Sequence, residues 1–189
     1  EDVDIVVLDE ADRMADMGFM DPVCEILDQC SENRQTILFS ATLDDEVADL
    51  VKNYQKNPVT IEVGPKEVSI ENMQHLFWTM KPHQKLRVTS EILTKCGKTM
   101  IFCKTRRGVD RLGDEMYDAE INISTLHGGL NQRQRDRAIR RFTKGGSIAL
   151  VATDVAARGI DVNDLTHVVH YSLPDDDAYY THRSGRTAR

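Results

Sequence analysis

The chain has 189 residues, 40% of them apolar and 29% charged, a composition that suits a globular core and excludes a disordered or low-complexity chain. Its net charge of −7 excludes wholesale electrostatic attraction to nucleic acid, but the charge is unevenly spread. Residues 1–65 hold 16 acidic and 4 basic side chains, residues 66–97 hold 3 and 5, and residues 98–189 hold 12 and 15, so a phosphate-bearing partner would meet local basic patches.

In chain order, Ile5–Leu8 is a short apolar run that reads as a buried strand of a parallel sheet. Asp9, Glu10 and Asp12 stand just past it, at the sheet edge where α/β proteins bind ligands. Taken alone, they also suit a charged turn. Asp21-Pro22 predicts an N-cap and first helical position, with Val23, Ile26 and Leu27 as the apolar stripe of a helix to Cys30. Thr36–Phe39 reads as a second strand, ending in Ser40-Ala41-Thr42. Asp44, Asp45 and Glu46 load the first turn of the next helix with charge that its dipole favours, and Val47, Leu50 and Val51 form its buried face. Val59–Val63 reads as a third strand. Gly64 to Glu67 is rich in breakers, and residues 65–72 are taken as a linker between a first domain, 1–64, and a second, 73–189.

A second alternation follows. Gln74–Met80 is strand-like, and Pro82 opens a helix bearing Leu86, Ile92 and Leu93. Thr99–Cys103, Ile121–Thr125, Ser147–Ala152 and Thr166–His170 read as strands. Helices are expected over 105–118, 131–144 and 177–184. Strands alternating with helices predict an α/β fold of parallel sheets. Cys24, Cys30, Cys96 and Cys103 show no Cys-x-x-Cys spacing and no histidine cluster, so they read as small core residues in a reducing compartment. No apolar run approaches membrane-spanning length and no leader precedes residue 5, which together predict a cytoplasmic protein without a membrane partner.

Several clusters suit phosphate chemistry. His127-Gly128-Gly129 follows a strand and precedes a helix carrying Gln132, Arg133, Arg135, Arg137, Arg140, Arg141 and Lys144. A helix N-terminus backed by arginines can seat backbone phosphates, while the distal arginines also suit a solvated face. Thr153-Asp154 closes a strand, and Arg158-Gly159-Ile160-Asp161 follows. Arg183, Arg186 and Arg189 recur every third residue, so their guanidinium forks can converge on one anion or form a salt-bridge set. Gly97-Lys98-Thr99 imitates the tail of a phosphate loop. Ile92 stands where the loop needs glycine, and the triplet precedes a strand instead of opening a helix.

Together these residues resemble the DEAD-box RNA helicases. Asp9-Glu10-Ala11-Asp12 is similar to their motif II, Ser40-Ala41-Thr42 to motif III and Ile101–Thr105 to motif IV. Gln132 and Arg135 match the Gln-x-x-Arg element, Ala152–Asp154 with Ala157–Asp161 motif V, and His182–Arg189 motif VI, all in family order. The resemblance implies two RecA-like domains, the first partial with about three strands, the second nearly complete. It implies ATP and Mg²⁺ as cofactors and RNA, single-stranded or in a short duplex, as partner. Asp9 would hold Mg²⁺ through water, Glu10 would activate the attacking water, and Arg186 and Arg189 would act as arginine fingers. His182 would serve catalysis and coupling, and Asp12, Ser40, Thr42, Arg158 and Arg183 would couple the domains. Gly159 and Asp161 would meet the ribose side of ATP. Thr105, Arg106, Gly128, Gln132, Arg135 and Thr153 would grip the RNA backbone.

The family's phosphate loop and adenine-reading motif normally precede motif II, and here eight residues precede Asp9. The chain is therefore expected to be part of a longer protein and inactive as an ATPase by itself. Two other readings suit the same sequence: a non-enzymatic RNA- or partner-binding module, and a DNA-directed helicase of the same superfamily.

Overall fold

The computed structural model of the chain describes residues 3–43, 45–63, 73–160, 162–174 and 176–187. These belong to two compact units, Glu1–Lys66 and Glu67–Arg189. In the first, β1 (Ile5–Leu8) and β2 (Gln35–Leu38) pair in parallel, with Ile5 opposite Gln35 and Leu8 opposite Leu38. α1 (Ala11–Asp16), α2 (Met20–Asp28) and α3 (Asp45–Tyr54) accompany them, and α3 packs on both other helices. Val47 and Leu50, three apart on α3, are buried together with Leu27 of α2 and Ala11 of α1. The Tyr54 hydroxyl donates to the Asp28 carboxylate at 2.8 Å and ties the ends of α3 and α2.

Three details differ from the sequence expectation. The acidic residues after β1 do not form a bare turn but lead into α1, which is too short to show an apolar stripe. α2 starts at Met20, so Pro22 takes the third helical position, still within the turn whose N–H groups have no intrahelical acceptor. Val59–Val63 is not a strand. Val59, Ile61 and Val63 are 87%, 79% and 90% exposed, and the first sheet has two strands among the described residues, not three. Strand-like alternation became no strand because no edge pairs with it.

The second unit holds β3 (Thr99–Phe102), β4 (Ile123–Leu126), β5 (Ala149–Ala152) and β6 (His167–His170) in one parallel sheet of order β4-β5-β3-β6. Thr99 lies opposite Ala149 on one side and His167 on the other, and Ile123 opposite Ala149. The helices are α4 (Lys85–Lys95), α5 (Arg106–Asp118), α6 (Gln132–Thr143), α7 (Asp154–Ala157) and α8 (Asp177–Ser184), with a 3₁₀ turn at Pro82–Gln84 ahead of α4. β3 and β5 are buried on both faces, which is why they read as continuous apolar runs. One face packs Met100, Phe102, Leu126 and Leu150 with Phe142 of α6. The other packs Ile101, Cys103 and Val151 with Val109, Leu112 and Met116 of α5.

Helix starts follow capping chemistry. Thr105 Oγ1 accepts from the Gly108 N–H at 3.0 Å, Asn131 and Gln134 form a reciprocal capping box, and Asp176 accepts from the Tyr179 N–H at 2.7 Å. Gln74–Met80 is not a strand; Leu76, Phe77 and Trp78 are exposed, and side-chain contacts described below hold the segment instead. Of the four cysteines, all free, only Cys103 is a core residue, its thiol pushed up to about 11 by burial. The expected linker, 65–72, lies outside the described residues. Among the described residues no helix is long and apolar enough to cross a membrane.

Candidate functional site

The first unit concentrates its chemistry where β1 and β2 end. The chain leaves β1 through Asp9, whose carboxylate accepts the Glu10 N–H at 2.9 Å. Glu10 then adopts φ 53°, ψ 50°, the left-handed region that a side chain with a Cβ enters at a cost of about 1–2 kcal/mol. The helix behind it is anchored to β2. The Ala11 N–H donates to the Phe39 carbonyl at 3.0 Å, and the Asp12 N–H donates to Ser40 Oγ at 3.0 Å. Asp12 is 8% exposed, whereas Asp9 and Thr42 are open to solvent. The acidic tetrad and the Ser40-Ala41-Thr42 triplet are thus hydrogen-bonded to one another: Ser40 fixes the peptide of Asp12, and Asp9 is left at the surface.

In the second unit the expected RNA-gripping residues gather at the C-terminal edge of its sheet. Thr105 follows β3, Gly128 follows β4, Thr153 follows β5, and Gln132 opens α6. The Arg106 guanidinium lies against Gly128, where an added Cβ would come within 3.2 Å of it. His127, 7% exposed, organises the loop. Its Nδ1 accepts the Gly129 N–H at 3.1 Å, which assigns the proton to Nε2, 2.8 Å from Asp110. Gln132 donates to Asp136 at 2.8 Å, and Arg135 reaches the Ala156 carbonyl at 3.5 Å, joining α6 to α7. Thr153 is buried, and its N–H donates to the Leu126 carbonyl.

α8 carries the second group. Arg183, 3% exposed, makes a bidentate pair with Asp154 at 2.6 and 2.7 Å, donates to the Ser172 carbonyl at 2.8 Å and lies over the Phe102 ring. These three of its five N–H groups, all bonded within its own unit, pin α8 to α7 and the sheet. Arg186, one turn on, donates to the Ile160 carbonyl at 3.1 Å, beside Gly159, which sits at φ 65°. His182 is half-buried on the same helix. Asp161 and Arg189 lie outside the described residues.

Sequence reasoning missed the aromatic clamp on α8. The Tyr180 ring stacks on His170 at 4.8 Å and on Phe77 at 6.3 Å, and its hydroxyl meets His75 Nδ1 at 2.5 Å. Thr187 adds a contact to the Met73 sulfur at 3.7 Å. Segment 73–77 is thereby fastened to the helix that bears His182 and to the turn that follows it. The pairing spans 105 residues and has no local sequence signal. Burial, then the Arg183 charge, lowers the His170 pKa to about 4 against the opposing pull of Asp154, with His75 adding a further lowering. The unfolded chain takes up this proton near pH 6.5 and the folded one near 4, so the stability from neutral His170 is intact above 6.5 and declines as pH falls toward 4. Thermal melts at pH 7, 6 and 5 are expected to show a falling melting temperature, with a shallower slope in His170→Gln. Equal slopes would contradict this.

Comparison with known proteins places both halves. Residues 1–50 match the DEAD/DEAH box helicase family and residues 84–189 the helicase conserved C-terminal domain. The chain is 38% identical to the ATP-dependent RNA helicase RhlB of Pseudomonas putida, over 98% of this chain and 48% of that protein. It is also 38% identical to a probable ATP-dependent RNA helicase, ddx27, of Dictyostelium discoideum, over 100% of this chain and 25% of that one. Among solved structures, Dbp5 of Saccharomyces cerevisiae bound to RNA and ADP-BeF3 superposes with a TM-score of 0.82 at 36% identity, over 99% of this chain and 50% of that one. A DEAD-box protein from Methanococcus jannaschii gives a TM-score of 0.59 at 36% identity, over 99% and 51%. The chain spans between a quarter and about half the length of these curated relatives.

Proposed function

The chain belongs to the DEAD-box RNA helicases, and from that premise we propose that its protein couples ATP hydrolysis to RNA binding and local opening of short duplexes. The observation that carries the reading is the acidic turn. A non-glycine residue in the left-handed region, between an exposed aspartate and a peptide fixed by Ser40, is strain kept at a sheet edge where ligands bind.

Asp9 suits a hydrated Mg²⁺. One of its oxygens takes the Glu10 N–H, its surroundings are open, and this ion keeps several waters and needs only one or two carboxylates. When bound, the ion neutralises charge on the β- and γ-phosphates. Glu10 orients the attacking water and receives its proton. Arg186 and Arg189 offset the charge that develops on the transferred phosphoryl group. Arg183 keeps α8 in place for them. Asp12, Ser40, Thr42, Arg158 and His182 relay nucleotide state between the units, and Gly159 and Asp161 meet the ribose. Thr105, Arg106, Gly128, Gln132, Arg135 and Thr153 hold the RNA backbone, so recognition carries little sequence information. Residues 1–189 contain no Gly-x-x-x-x-Gly-Lys-Ser/Thr, so this polypeptide alone is expected not to turn over ATP.

The test is ATP hydrolysis by the intact protein with single-stranded RNA or with DNA of the same sequence. RNA is expected to activate and DNA not; activation by DNA would move the protein to the DNA-directed helicases, and no activation by either would support a binding module.

A further inference from the structure

β4 is an outer strand of the second unit's sheet. In its ladder with β5, the Asn122 and Leu126 carbonyls accept from the Ile148 and Thr153 N–H groups. Peptide groups alternate in direction along a parallel strand, so the N–H and C=O of Ile123 and Thr125 face away from the sheet. α5 and α6 pack on opposite faces of that sheet. Between them, along the outer side of β4, runs an open groove of about 910 Å³. Gly113 lets α5 sit this close, since a Cβ there would meet Thr125 Cγ2 at 2.8 Å.

The two walls of the groove carry opposite charge. Asp114 and Asp118 line it from α5, and Arg137 from α6. Glu115 is paired with Arg111, Asp110 accepts from His127 Nε2, and Arg141 donates to the Gly146 carbonyl and the Asn122 side chain, while Glu120 adds a further acidic group to the lining. Asp114, Asp118 and Arg137 have no ion-pair partner among the described residues. The spacing matches a strand. Four helical residues rise about 6 Å. Two strand residues rise about 6.6 Å, and successive strand side chains point to opposite faces.

We propose that the β4 edge receives an extended segment of a partner protein as a fifth strand. Its sequence alternates basic, acidic, basic: two Lys or Arg side chains, two residues apart, face Asp118 and Asp114, and the Asp or Glu between them faces Arg137. Main-chain hydrogen bonds to Ile123 and Thr125 supply affinity, and the charged walls supply register and specificity. This goes beyond the helicase reading and does not depend on it, because the groove lies outside the residues assigned to ATP and RNA.

The probe is a fluorescein-labelled peptide, Thr-Val-Lys-Glu-Lys-Val-Thr, and its control is Thr-Val-Glu-Lys-Glu-Val-Thr. Binding to the chain is followed by anisotropy, and the amide signals of Ile123 and Thr125 by NMR. The first peptide is expected to bind about tenfold more tightly, to weaken with salt and to shift both amides. In the triple variant Asp114→Lys, Asp118→Lys, Arg137→Glu the preference is expected to invert. Equal binding of the two peptides to the unmodified chain would overturn the proposal. So would perturbation of the same amides by RNA, or by raising the concentration of the chain, with no response to the first peptide.

Discussion

Glu10→Gln is expected to lower RNA-stimulated ATP hydrolysis by the intact protein about 10²–10⁴-fold, the usual contribution of a positioned acid–base group, while ATP and RNA still bind. The amide keeps the size and hydrogen-bonding reach of the carboxylate but cannot take the proton of the attacking water. A companion variant separates chemistry from folding. Glycine enters the left-handed region without the Cβ clash, so Glu10→Gly is expected to be at least as stable as the parent, by up to about 1 kcal/mol, and equally inactive. An active Glu10→Gln protein would remove Glu10 from the chemistry. A destabilised Glu10→Gly protein would show that the left-handed turn is not strained.

Arg183→Ala is expected to cost the second unit about 3–5 kcal/mol, because it leaves the Asp154 carboxylate half-buried without its bidentate partner. It also strips the Ser172 carbonyl of a donor and the Phe102 ring of its cation. Urea unfolding of the chain followed by circular dichroism reads this cost. Arg183→Lys is expected to recover only part of the loss, since an ammonium cannot grip both carboxylate oxygens in a planar fork. A loss below about 1 kcal/mol in Arg183→Ala would show that the pair behaves as a solvent-exposed one.

These two sites differ in how far the sequence foretells them. The acidic turn is legible because its carboxylates directly follow an apolar run; that the Ser40 hydroxyl, 28 residues on, meets Asp12 is not marked by either stretch. Even there the left-handed Glu10 has no sequence mark, because glycine and asparagine usually announce that conformation and glutamate does not. α8 falls where a helix is expected from the sequence, over 177–184. What Arg183 does is not legible, because Asp154 lies 29 residues away and arginines every third residue suit an anion site and a salt bridge equally well. The clamp of His75 and Phe77 on Tyr180 was hidden by strand-like alternation over Gln74–Met80, as Val59–Val63 was. Period-two patterning states what a segment is able to do, and pairing requires an edge that the local sequence does not record.

Arg186, two residues past the end of α8, is the proposed arginine finger for ATP hydrolysis by the intact protein. The most direct test is the RNA-stimulated turnover of the intact protein carrying Arg186→Lys. The substitution keeps the positive charge just past α8 but loses the planar fork, and kcat is expected to fall by about 10³-fold, the lower range for an arginine finger, with RNA-independent ATP binding unchanged. Turnover at the parent rate would contradict the account.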